Sequence, residues 1–309
     1  MKSVVIGSRG SKLALTQSNW IADELRRLYP SLDVSIKVIK TLGDKMTTAS
    51  LVRLAGESKG LFVKEIEEAL LDGSVDLAVH SLKDVPTELP SDLMLGMIPE
   101  REDPRDALIS PHRVKSIDDL PKEGVVGTSS LRRRVQLKKR RPDLNIVELR
   151  GNVDTRLRKL KEQKLDGVVL ATAGLRRMGL SRHIAYRFSI EEMVPAIGQG
   201  ALAIEVRRGD SDIRELIDPL NHEATRLAVL AERHFLEALG GGCQVPMGAH
   251  AEETAEQSTF RAFICDPDGN NLVAQELTGE PGEAMRLARE SAEYFMKKGA
   301  VAILREAEV

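Results

Sequence analysis

Four short stretches hold the residues best suited to chemistry. In Ala238-Leu239-Gly240-Gly241-Gly242-Cys243-Gln244-Val245-Pro246, a thiol follows three glycines where a helix is expected to end. Glycines let backbone and ligand approach closely, and a loop thiol near cations ionises readily, so Cys243 suits a covalent attachment. Val126-Gly127-Thr128-Ser129-Ser130-Leu131-Arg132-Arg133 passes from a strand through glycine and hydroxyls into a helix. Such a turn aims backbone N–H groups and the positive end of a helix dipole at an anion. Leu149-Arg150-Gly151-Asn152-Val153-Asp154-Thr155-Arg156 repeats that design one strand later. The fourth, His80-Ser81-Leu82-Lys83-Asp84-Val85-Pro86, closes a strand with a carboxylate beside an ammonium. That pairing can steady a developing cation or move protons.

Basic residues crowd the span from Arg132 to Arg158: Arg132, Arg133, Arg134, Lys138, Lys139, Arg140, Arg141, Arg150, Arg156 and Arg158. A guanidinium binds carboxylate or phosphate bidentately and keeps its charge, so the arginine bias suits a ligand with several planar anions. Lys138 to Arg141 read as a solvated helix end, whereas Arg132, Arg133, Arg150 and Arg156 stand at helix starts. Nucleic acid is disfavoured by a net charge of -2, 3% aromatic residues and no recognisable binding motif. The only two cysteines, Cys243 and Cys265, are 22 positions apart, with no Cys-x-x-Cys pattern and no clustered histidines, which argues against a metal site. Cys265, inside an alternating apolar run, reads as a buried structural thiol. His234 and His250, the histidines nearest Cys243 in sequence, lie in no protease signature, which disfavours a Cys–His hydrolase.

The elements that must position these residues follow from periodicity. With 309 residues, 42% hydrophobic and 30% charged, the chain exceeds one hydrophobic core, and two or three domains are expected. Residues 2–8 read as a strand, and 11–28 as a helix with Leu13, Trp20, Ile21 and Leu25 on one face. Val34, Ile36 and Val38 alternate as a strand before a Gly43-Asp44 turn; a helix over 63–71 and a strand over 76–79 follow. Strand, helix, strand, helix, strand then recur to Gly127, from Ser129, over 146–149, from Asn152 and over 167–170. This alternation predicts α/β architecture with parallel pairing. A strand over 201–206 and a helix over 223–239 come next, then strands over 260–264 and 272–277, a helix near 282–298 and a terminal strand, an α+β pattern. The amino-terminal apolar run is too short for a signal peptide and no 18-residue apolar stretch occurs, so a cytoplasmic location is expected.

Taken together, the chain resembles the porphobilinogen deaminase, or hydroxymethylbilane synthase, family. Eight segments match family signatures in order: Ile6-Gly7-Ser8-Arg9-Gly10-Ser11-Lys12-Leu13-Ala14, Lys59-Gly60-Leu61-Phe62-Val63-Lys64-Glu65, residues 80–86, Glu100-Arg101-Glu102-Asp103-Pro104-Arg105-Asp106-Ala107, 127–133, 149–157, Ala196-Ile197-Gly198-Gln199-Gly200, and 241–246. The resemblance implies two α/β domains similar to type II periplasmic binding proteins, with mixed, mainly parallel sheets, plus a carboxyl-terminal α+β domain with a small antiparallel sheet. By that analogy domain one is 1–99 with 198–219, domain two 100–197 and domain three 220–309.

The implied reaction deaminates four porphobilinogen molecules and joins them in turn to a dipyrromethane cofactor, held by a thioether to Cys243; hydrolysis then frees hydroxymethylbilane. Loss of ammonia leaves a cationic azafulvene, and the ring that forms must lose a proton, so a carboxylate is wanted; Asp84 occupies the family's catalytic position. Lys83, Asp84, Ser129, Arg132 and Arg133 fall on cofactor-binding positions. Arg9, Ser11, Lys59, Phe62, Thr128, Ser130, Arg150, Asn152, Arg156, Arg177 and Gln199 fall on substrate-binding ones. The family's mobile loop corresponds to 59–62, although Glu57-Ser58 stand where a glycine pair is expected. The resemblance further implies a monomer whose partner is porphobilinogen, with neither nucleic acid nor membrane. The competing reading is a noncatalytic anion-binding module on the same type II fold, which would need no Gly-Gly-Gly-Cys turn.

Overall fold

The computed structural model describes residues 2–42, 63–240 and 245–307. Two compact units result, Met1–Arg101 with Ala201–Arg226, and Glu102–Gly200 with Leu227–Val309.

The first unit is built on β1 (Ser3–Arg9), β2 (Asp33–Ile39), β3 (Leu77–Ser81), β4 (Leu93–Met97) and β10 (Leu202–Arg207), ordered β2-β1-β3-β10-β4. β1 runs parallel to β2 and β3, whereas β10 lies antiparallel to β3 and β4. Helix α1 (Lys12–Leu28) starts where the Ser11 hydroxyl accepts the Ala14 N–H at 3.2 Å. Its buried face is Ala14, Gln17, Ser18, Ile21, Ala22 and Leu25; the expected Trp20 is 43% exposed. Trp20 lies one position from Ile21, about 100° around the helix, and cannot share its face. Ile21, Ala22 and Leu25 pack on Val4, Ile6, Leu77, Val79, Ile204 and Val206. The other sheet face receives α2 (Lys64–Leu71) through Ile66, Ala69 and Leu70, against Val5, Val75, Ala78 and Leu93. Successive strand residues thus serve opposite helices, as the period of two demands. Helix α6 (Ser211–Ile217) follows β10.

The second unit repeats the plan with β5 (Asp106–Ile109), β6 (Val125–Gly127), β7 (Asn145–Val147), β8 (Gly167–Ala171) and β9 (Tyr186–Arg187), ordered β7-β6-β8-β5-β9. Again the first two pairs in the order are parallel and the fourth strand is antiparallel to both neighbours. Helices α3 (Leu131–Arg140), α4 (Val153–Glu162) and α5 (Thr172–Arg177) complete it. Helix α7 (Glu223–Ala238) leads to an antiparallel sheet of β11 (Met247–Glu253), β12 (Ser258–Cys265) and β13 (Leu272–Gly279). Helix α8 (Ala284–Lys297) packs on it, with Phe235, Phe260 and Phe295 meeting at centroid distances of 5.5 and 5.2 Å.

The architecture is therefore α/β with two mixed sheets and a small carboxyl-terminal antiparallel sheet, as expected. The expected terminal strand is instead a helix, α9 (Ala300–Ala307), with Ala300 and Leu304 buried four residues apart. A short apolar run reads equally as strand or helix, and the alanines decide for helix. Among the described residues no helix is long and apolar enough to cross a membrane.

Candidate active site

In the first unit, β1 and β3 end beside one another, and with the turn that follows β3 they deliver Arg9, His80, Ser81 and Asp84 to one cleft. Ser11 and Gln17 of α1 line it too. The chain leaves β3 through a single turn of 3-10 helix, Leu82–Asp84, stopped as Val85 N–H bonds to Leu82 O at 3.1 Å. Pro86 lacks an N–H with which to continue it. Leu82 is buried, which turns Asp84 out to the solvent side, with Lys83 partly covered. The Ser81 hydroxyl accepts from Gln17 Nε2 at 2.9 Å and fixes the turn against α1.

The second unit presents its two helix starts together. Ser130 caps α3 by accepting the Arg133 N–H at 3.4 Å, and Asn152 caps α4 by accepting the Thr155 N–H at 2.9 Å. The Ser129 hydroxyl accepts the Leu149 N–H at 3.1 Å, which ties one helix start to the other. Thr128 lies between them, its N–H bonded to Val147 O and its hydroxyl accepting the Ser130 N–H. Gly127 permits this approach, since a Cβ there would meet Leu149 at 2.8 Å. Arg150 is about one-third exposed, with Nε 2.5 Å from Glu148. Arg156 is partly buried in the first turns of α4.

Arg132 and Arg133 do not stand open at the helix start as the spacing suggested; they are 4% and 5% exposed. Both point to Asp106, which is fully buried at the start of β5. Arg132 Nη2 is 2.8 Å from Asp106 Oδ2, and Arg133 Nε and Nη2 donate to Oδ1 at 3.0 and 2.7 Å. Arg132 also donates to Val194 O, and Arg133 to Val169 O. Gln199 Nε2 adds a bond to Asp106 Oδ1 at 3.1 Å and one to Pro104 O at 2.7 Å. Burial works to raise the Asp106 carboxyl, but the two guanidinium charges overcome it and hold the group below the usual carboxylate range. Arg177 donates to Gly200 O at 2.7 Å, and burial pushes it down to about 10, still charged at neutral pH.

Asp106, quoted within a family segment but assigned no role, is the partner of these side chains that sequence reasoning missed. An aspartate opening a buried strand is a usable signal, because such a charge requires a partner. Cys243, Lys59 and Phe62 lie outside the described residues. Cys265 is fully buried on β12, where burial raises its thiol. Among the described residues no group of three His, Cys, Asp or Glu side chains is arranged to hold a metal ion.

A family model described as "Porphobilinogen deaminase, dipyromethane cofactor binding domain" matches residues 4–215, well over half of the sequence. The chain belongs to the porphobilinogen deaminase family. A second model, of the family's C-terminal domain, matches residues 226–297. The porphobilinogen deaminase of Syntrophotalea carbinolica is 50% identical over 299 residues, covering 97% of this chain and 94% of that protein. That of Geotalea daltonii is 48% identical over 306 residues, covering 99% and 95%. That of Listeria welshimeri is 45% identical, covering 99% and 98%. Solved structures align more loosely. A TRAP periplasmic solute binding protein of Desulfovibrio salexigens gives a TM-score of 0.41 at 12% identity, covering 72% of this chain and 73% of that one. A probable amino-acid transporter extracellular-binding protein of Bacillus subtilis gives 0.40 at 14%, covering 77% and 97%.

Proposed function

We propose that the chain is a hydroxymethylbilane synthase in which Asp84 is the catalytic carboxylate and Cys243 carries the dipyrromethane cofactor through a thioether. The enzyme is a transferase of tetrapyrrole biosynthesis that condenses four porphobilinogen molecules and releases hydroxymethylbilane. The observation that carries the residue assignment is the delivery of Asp84 into a cleft that also holds Arg9 and Ser11. That donor set fits pyrroles, whose ring N–H groups want an anion and whose acetate and propionate arms want cations and hydroxyls. The bound cofactor supplies the nucleophilic ring carbon to which substrate is joined. As ammonia leaves porphobilinogen, positive charge develops on its ring, and Asp84 faces that charge and takes up the proton lost after the carbon–carbon bond forms.

Lys83, Ser129, Arg132 and Arg133 hold the cofactor in this reading. Each guanidinium has five N–H donors, more than Asp106 and the backbone carbonyls of Val194 and Val169 take up. Arg9, Ser11, Lys59, Phe62, Thr128, Ser130, Arg150, Asn152, Arg156, Arg177 and Gln199 receive the acidic arms of substrate and product. The three-domain division with boundaries near 100, 198 and 220, the cytoplasmic location, the monomeric state and the absence of nucleic-acid or membrane partners belong to the same proposal. Near-neutral charge and few aromatics support the exclusion of nucleic acid. Intact mass spectrometry tests the anchor: protein from a host that makes porphobilinogen is expected to carry two pyrrole units, and Cys243→Ala none. Fully active protein of unmodified mass would overturn it.

A further inference from the structure

Behind the turn that bears Asp84 lies a buried histidine–glutamate pair that the proposed chemistry leaves unused. On β3, Ala78 and His80 face α2, while Leu77 and Val79 face the α1 side. Across the antiparallel pairing Ala203 is opposite His80 and Glu205 opposite Ala78, so His80 and Glu205 are diagonal neighbours on that face. The two alanines leave space for both side chains. His80 Nε2 is 3.1 Å from Glu205 Oε2, with side-chain exposures of 4% and 0%. The contact is close but not aligned as a hydrogen bond, and among the described residues neither Glu205 oxygen has a hydrogen-bond partner. A carboxylate so enclosed is costly to keep unless a neighbouring group answers its charge. Glu67 of α2 adjoins the pair: burial and the charge of Glu205 push its carboxyl up, and His80 opposes them.

His80 also lines the cleft shared with Asp84. The next residue, Ser81, is held from the opposite face by Gln17, and Leu82 N–H bonds to Ala201 O at 3.0 Å. The end of β3 is therefore gripped on both faces just before Lys83 and Asp84, by the Ser81–Gln17 hydrogen bond on one side and the buried His80–Glu205 contact on the other. We propose that His80 and Glu205 are positioning residues whose buried pair fixes the end of β3 and thereby the direction from which Asp84 meets the pyrrole nitrogens. This inference rests on the assignment of Asp84 as the catalytic carboxylate.

The test compares cofactor-loaded Glu205→Gln, His80→Gln, the double variant and, in parallel, Asp84→Asn. Because small misplacements of a reacting group are expensive in rate, each single variant is expected to lose kcat by about ten-fold or more while KM stays within about two-fold. The double variant, which leaves two amides able to hydrogen-bond to each other, is expected to regain thermal stability without regaining kcat. Where a single variant does not fold, the double variant carries the comparison. Wild-type kcat in folded Glu205→Gln, a loss confined to KM, or recovery of kcat together with stability in the double variant would each overturn the positioning role. Near-normal turnover in Asp84→Asn would instead remove the reading beneath it.

Discussion

Arg132 and Arg133 are adjacent on α3, and burial removes the water that would screen their mutual repulsion. Asp106 answers both, so the residue-scale prediction concerns this carboxylate. Its folded pKa is depressed relative to an unfolded value of about 3.9, so the folded state binds fewer protons. Its contribution is complete above roughly pH 5 and is lost as pH falls through the unfolded value towards the folded one. Asp106→Asn is expected to cost about 3–5 kcal/mol at neutral pH, read from urea midpoints, because two buried cations lose their counter-charge. The variant should also show a smaller fall in stability between about pH 5 and 3 than the parent protein. An unchanged midpoint would show that Arg132 and Arg133 find their charge balance elsewhere. The arginines were legible as a cluster, but their partner was not: Asp106 is 27 positions from Arg133, and a buried ion pair at that distance leaves no periodic trace in the sequence.

At the scale of elements, the helix starts were the most legible features, because capping chemistry is local. Ser11, Ser130 and Asn152 each accept the N–H three residues on, within one position of the helix starts read at Ser11, Ser129 and Asn152. Asn152 allows structure and ligand binding to be separated. Asn152→Ala is expected to lose about 0.5–2 kcal/mol of stability through the lost cap. Asn152→Asp caps equally well but adds an anion at the helix start, so it should keep its stability while raising KM for the acidic substrate. Equal KM in Asn152→Asp and the parent would remove Asn152 from the substrate contacts. Elements whose signal depends on what they pack against were read less well. The first turn of α9 is Ala-Val-Ala-Ile-Leu, which carries no period long enough to separate strand from helix. The strands β4, β5, β9 and β11 are short or lack clean alternation, and pairing with neighbours defines them.

At the scale of the whole molecule, the two five-stranded sheets share one pattern of strand directions, although the chain lays the strands down in a different order. In the first, the antiparallel strand β10 is added after the chain has built the second sheet; in the second, β5 is laid down before any of its neighbours. The proposed attachment of the cofactor to Cys243 gives a prediction at this scale: a tethered group stays on the chain when it unfolds, so it stabilises the fold through the contacts it makes only in the folded state. Cys243→Ala, which leaves the chain without its cofactor, is expected to melt several degrees lower, at roughly 2–4 °C per kcal/mol for a protein of this size. An unchanged Tm in scanning calorimetry would mean that the cofactor adds no contacts to the fold. The amino-acid sequence alone determined the family, the order of most helices and strands, the capped helix starts and the turn bearing Lys83 and Asp84, because these depend on neighbours within a few positions. Only the tertiary structure decided that β10 and β5 return antiparallel, that Asp106 gathers Arg132, Arg133 and Gln199, and that Glu205 reaches His80. Those contacts join residues from 26 to 129 positions apart, and burial, which makes them strong, acts through three-dimensional proximity rather than sequence spacing.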